Sequence, residues 1–96
     1  MAFELDDHEG IVDQWLVAHP DEAEAYQDWI ERWCSDPYQI PYDLVQEVMI
    51  DCMLLDFAMP GDRISHRWVF TIFLDAAGFG ELINIRPAVP LDQVQA

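Results

Sequence analysis

Hydrophobic positions recur at helical spacing through the first half of the chain and give way to an unbroken apolar run near Trp68. In residues 20–35, Ala23, Tyr26, Trp29, Ile30, Trp33 and Cys34 fall on one side of a helix at about 100° per residue, while Asp21, Glu24, Asp28 and Glu31 fall on the other. Pro20 suits a first helical turn and the prolines after Ser35 close the segment, so a helix over residues 20–35 is predicted. Upstream, Ile11, Val12, Trp15 and Leu16 predict a shorter helix over residues 7–18, with Asp6 or Asp7 as its N-cap. Gly10 weakens that helix by up to about 1 kcal/mol relative to Ala.

Pro41 opens a third predicted helix, running to about Ala58. Leu44, Val45, Val48, Met49, Cys52, Leu55 and Met59 give it a broad apolar surface, and Asp43, Glu47 and Asp51 recur at i, i+4 and i+8 as an acidic stripe. Beyond the turn at Pro60-Gly61-Asp62, the residues from Trp68 to Leu74 are β-branched, aromatic or Leu and predict a strand. A Gly-containing turn, AAGFG, and a returning strand, ELINIRP, complete a hairpin that Pro87 ends. The alternative takes Ser65 as an N-cap and Gly78 as the residue past a buried fourth helix. The tail AVPLDQVQA is expected to be loosely held. The expected fold is therefore α+β, a small single domain over residues 1–96 with three N-terminal helices packed on a C-terminal β-hairpin. The alternative is an all-α four-helix bundle.

Composition adds the main global feature. The chain has 96 residues, 52% of them hydrophobic, which is enough for a core and argues against disorder. Nineteen acids face four Arg and no Lys, for a net charge of −15. Thirteen of the acids lie before Met49, with Arg32 as the only basic Lys or Arg side chain in that part. Such a chain repels nucleic acid and anionic membrane surfaces and attracts basic ones over a Debye length of roughly 8 Å. The start of the chain has neither a basic region nor an apolar run, and no stretch reaches the roughly 18 apolar residues of a membrane span, so a cytoplasmic location is expected. Cys34 and Cys52 fall among apolar residues and read as buried thiols.

Specific chemistry is sparse. Asp6-Asp7-His8-Glu9 and the His19/Asp21 pair contain metal-ligand types without the HExxH or CxxC spacing that puts two ligands on one face, so no metal or cofactor is expected. Ser65 and His66 are adjacent and would point to opposite faces of a strand, a poor nucleophile-base pair. Gly78-Phe79-Gly80 lacks the spacing of a phosphate-binding loop. No enzyme is expected.

The acids themselves remain. The sets 6/9/13, 21/24/28/31 and 43/47/51 contain seven like-charged neighbour pairs, each costing on the order of 0.3 kcal/mol on a helix. Stability alone does not select that pattern. The expectation is an acidic inhibitor that occupies a basic nucleic-acid-binding surface of a target protein, a DNA or RNA mimic of anti-restriction or anti-CRISPR type. Its partner-binding residues would be Asp21, Glu24, Asp28, Glu31, Asp43, Glu47 and Asp51, with Tyr26 or Tyr38 as an exposed aromatic anchor. Direct binding to nucleic acid or membrane is not expected. The alternatives are an immunity protein or antitoxin that neutralises a basic toxin, and a salt-adapted interaction domain without mimicry.

Overall fold

The run RWVFTIFLD forms β4 (Arg67–Asp75), in which Trp68, Phe70, Ile72 and Leu74 are buried on one face. A strand buried in this way needs partners on both edges, because unpaired backbone N–H and C=O groups are costly away from water. Those partners are β3 (Cys52–Pro60) and β5 (Phe79–Pro87), both antiparallel to it. β2 (Tyr42–Met49) lies outside β3, and the short β1 (Glu4–Asp6) runs parallel to β5, giving the order β1-β5-β4-β3-β2. The computed structural model describes residues 3–49, 51–60 and 67–88. The expected Gly61-Asp62 turn, the Ser65/His66 pair and the tail from residue 89 onward lie outside the described residues.

Side-chain rows cross the sheet in register. Leu55, Ile72 and Leu82 form one buried row, and Phe57, Phe70 and Ile85 form the next. Two helices cover this face, α1 (Ile11–Ala18) and α2 (Ala23–Ser35), the second preceded by a 3-10 turn at Pro20–Glu22. Phe70 is the centre of the contact: its ring centroid lies 4.3 Å from Trp29, 5.5 Å from Trp15 and 5.9 Å from the stacked ring of Tyr26. Trp33 packs edge-on to Phe57 at 5.9 Å. The indole Nε1 of Trp29 also donates to the carbonyl of Ala58 at 3.0 Å, fixing α2 to β3.

Helix starts follow local chemistry. The two carboxylate oxygens of Asp7 accept from the backbone N–H of Ile11 and of Val12, each at 2.8 Å, so Asp7 satisfies two first-turn donors of α1. Gly10 precedes the helix at φ 67°, in the left-handed region that glycine enters without steric cost. It therefore sits outside the helix that it was expected to weaken.

The expected C-terminal hairpin is present as β4 and β5. Asp75 Oδ1 closes its turn by accepting from the N–H of Ala77 at 2.9 Å and of Phe79 at 3.0 Å. The rest of the expected fold is corrected. There are two described α-helices and a five-stranded mixed sheet, neither three helices on a hairpin nor a four-helix bundle. The predicted third helix is the hairpin of β2 and β3, and the fourth helix of the alternative is β4. Leu, Met, Gln, Glu and Ala favour helix intrinsically, but pairing along the whole length of β4, from Cys52↔Asp75 to Pro60↔Arg67, overrides that preference.

Candidate interaction surface

α2 meets the sheet through Trp29, Trp33, Ile30 and Tyr26, so the opposite side of the same helix must face outward. That side carries Glu24, Asp28 and Glu31, with Asp21 from the preceding turn, and all four are exposed. Arg32 is exposed beside them. The ion pairs among the described residues are His8–Asp6 and Arg86–Asp56, so none of these four acids has a cationic partner there. The stripe predicted for residues 21–31 therefore exists as a continuous acidic row. Its C-terminal part borders a groove of about 830 Å³, lined by Asp28, Trp29, Glu31, Arg32, Ile40 and Pro41 among others.

The other predicted stripe is not formed. Asp43 and Glu47 lie on β2 and Asp51 in the connection to β3, all three exposed. Spacing of i, i+4 keeps two residues on one face of a regular strand as well as of a helix, but β2 is irregular. Asp43 pairs with Asp56 and Leu44 with Leu55, whereas Gln46 pairs with Leu54 and Glu47 with Met53. Val45 is the extra residue of a β-bulge, which turns Glu47 to the face opposite Asp43. The 6/9/13 set is divided as well, since Asp6 belongs to β1 and only Asp13 lies within α1.

Tyr26 is not the exposed anchor that its position in the sequence suggested. It packs on Phe70, Trp15 and Trp29. Burial, followed by the nearby negative charges of Asp7 and Asp13, pushes its phenol up to about 12. The exposed aromatics among the described residues are Tyr38, Tyr42 and Phe79, and the ring centroids of the two tyrosines lie 5.8 Å apart. Tyr38 is presented by a 3-10 turn at Pro37–Gln39, where its own backbone N–H donates to Asp36 Oδ1 at 3.1 Å. Burial, then Tyr42 and Asp36, raises the Tyr38 phenol above its ordinary value. Leu44, Val45 and Val48 on β2 extend this exposed apolar surface. Sequence reasoning named Tyr38 as one of two possible anchors but missed the β2 part, because an apolar run from 44 to 59 looks the same whether it is buried in a helix or exposed on an edge strand.

Away from the helices, the sheet carries one polar cluster. Thr71 Oγ1 donates to Asp56 Oδ1 at 2.6 Å, Arg86 Nη1 donates to Thr71 Oγ1 at 2.8 Å, and Arg86 Nη2 donates to Asp56 Oδ2 at 2.7 Å. Burial pulls the Asp56 carboxyl upward, but the hydrogen bonds from Arg86 and Thr71 and the guanidinium charge outweigh it and hold the group below the ordinary carboxylate value. Only its place in an apolar run, MLLDFAM, hinted at a partnered Asp.

No three His, Cys, Asp or Glu side chains converge as a metal site among the described residues. Cys34 and Cys52 are free thiols, and burial followed by the charge of Glu4 raises Cys34. That disfavours its thiolate, the nucleophilic form. No helix among the described residues is long and apolar enough to cross a membrane. No protein-family model matches the chain, and no curated protein or solved structure shows significant similarity to it.

Proposed function

We propose that the protein is an acidic inhibitor that occupies a basic, nucleic-acid-binding surface of another protein, as mimics of anti-restriction or anti-CRISPR type do. The observation that carries this reading is the row Asp21, Glu24, Asp28 and Glu31, exposed on one side of α2 and without cationic partners among the described residues. Over about 15 Å of helix the four charges stand roughly 5 Å apart, against about 3.4 Å per phosphate in a nucleic-acid strand. With Asp43, Glu47 and Asp51 on a hairpin instead of a second helix, a single row supports imitation of one phosphate strand better than imitation of a duplex. The carboxylates steer the encounter and pair with Arg and Lys of the target. Two free thiols fit a reducing compartment, and the cytoplasm is the proposed site of action.

The test is binding to a panel of purified basic nucleic-acid-binding proteins, with duplex or single-stranded competitor, from about 50 to about 500 mM salt. The reading expects affinity to fall steeply with salt, competitor to displace the protein, and combined Asp28→Asn and Glu31→Gln changes to cost more than either alone. Affinity that stays flat across that salt range would sink phosphate imitation.

A second reading, an immunity protein or antitoxin that caps one basic toxin, draws on the exposed apolar surface of Tyr38, Tyr42, Leu44, Val45 and Val48. Phosphate imitation calls for no more than an aromatic anchor such as Tyr38, whereas a dedicated interface uses the whole apolar surface. Binding that nucleic acid fails to displace would favour it.

A further inference from the structure

We propose that the outer edge of β2 takes up an extended, basic segment of the partner by strand addition. This inference rests on the proposed basic partner and specifies how it is held. β2 ends the strand order and has no neighbour on its outer side among the described residues. Its eight residues span about 27 Å at about 3.4 Å each, and an edge strand leaves roughly half of its N–H and C=O groups pointing away from its neighbour. Residues 42–48 are all exposed, Leu44 at 55% and Val45 at 51%. Tyr38, beside Tyr42, adds an aromatic surface at the start of the strand.

The charges on β2 select the occupant. Natural edge strands are commonly guarded by Lys, whereas β2 carries Asp43 and Glu47 and no cation. Pairing with a second copy brings Asp43 and Glu47 of both chains together along one edge, and each copy carries a net charge of −15. Like charges across a strand pair are destabilising, so a second copy is a poor occupant. An added strand that carries Lys or Arg on both of its faces, between apolar residues, meets Asp43 on one face of the sheet and Glu47 on the other and covers Tyr42, Leu44 and Val45. Main-chain bonds then supply affinity, and the alternating side chains supply specificity. The bulges at Val45 and Val48 bend the edge, which suits one added strand better than open-ended stacking.

The experiment titrates the isotope-labelled full chain with a Lys/Val peptide of about ten residues that places Lys on both faces of the extended chain, and with the same peptide N-methylated along its pairing edge. The expected result is shifted, slowly exchanging backbone amides at residues 42–48, with about tenfold or greater weakening for the N-methylated peptide. A chain carrying Asp43→Lys and Glu47→Lys together should also bind the unmodified peptide at least about tenfold less tightly. Equal binding of both peptides, with the shifts on α2, overturns strand addition and leaves the acidic-row reading standing. Failure of the unmodified peptide to bind overturns it too, as does a dimer in sedimentation that Val45→Lys dissociates. If the peptide seats on β2 while the panel assay shows no salt dependence, phosphate imitation fails and strand addition survives.

Discussion

The six-membered ring of Trp33 lies directly over Gly80, so closely that a Cβ on Gly80 would come within 2.6 Å of Trp33 Cη2 and 2.9 Å of Ile72 Cγ2. Trp33 is completely buried, and the absence of a side chain at Gly80 is what lets α2 settle onto β5. Gly80→Ala is expected to cost about 1–3 kcal/mol by overpacking, read from the urea unfolding midpoint. In a Trp33→Phe background the smaller ring leaves room for the methyl group, so the same change should cost less. Equal costs in the two backgrounds would show that the contact does not limit this position.

Asp7 satisfies two N–H groups at the start of α1. Asp7→Ala should lower stability by about 0.5–2 kcal/mol, and Asp7→Asn by less, since the amide keeps one accepting oxygen. Thermal unfolding of the two variants gives the order. Gly10→Ala should be destabilising as well, because a φ of 67° disfavours any residue with a Cβ.

The Asp56–Thr71–Arg86 cluster gives stability an acid limb. Asp56 has a folded pKa below its ordinary 3.8, so its contribution is present above about pH 4 and is lost as pH falls through the folded value. Asp56→Asn should flatten that limb in denaturation measured from neutral to strongly acidic pH. Thr71→Val removes a buried hydroxyl shared by both charged groups and is expected to cost about 1–3 kcal/mol. Arg86→Met should cost less, about 1 kcal/mol or below, because the guanidinium is half exposed.

Tyr26 gives an alkaline counterpart. With its phenol raised from 10.0 to about 12, the folded state holds the proton longer than the unfolded chain does. Its contribution is complete below pH 10 and is lost as pH rises toward 12. Phenolate absorbance should show one tyrosine titrating late, and Tyr26→Phe should remove that late step. If the late step persists in the variant, Tyr26 is not its source.

Periodicity and composition determined α1 and α2 and favoured the β4–β5 hairpin over a fourth helix, because in those segments local preference and tertiary demand agree. Ile11 to Leu16 and Tyr26 to Trp33 repeat at helical spacing, and Trp68 to Leu74 is built of strand formers before a turn that contains Gly78. The acidity of the chain and the outward row on α2 were equally legible. Tertiary structure decided residues 41–60. There, good helix formers are drawn into two strands because the buried β4 needs a hydrogen-bonded neighbour along its full length, a demand no local window records. It also decided which acids share a surface: a single bulge at Val45 separates Asp43 from Glu47, and the edge position of β2 leaves Tyr42, Leu44 and Val45 facing outward. Burial is a property of neighbours distant in sequence, so the same apolar residues that read as core were free to become an exposed edge.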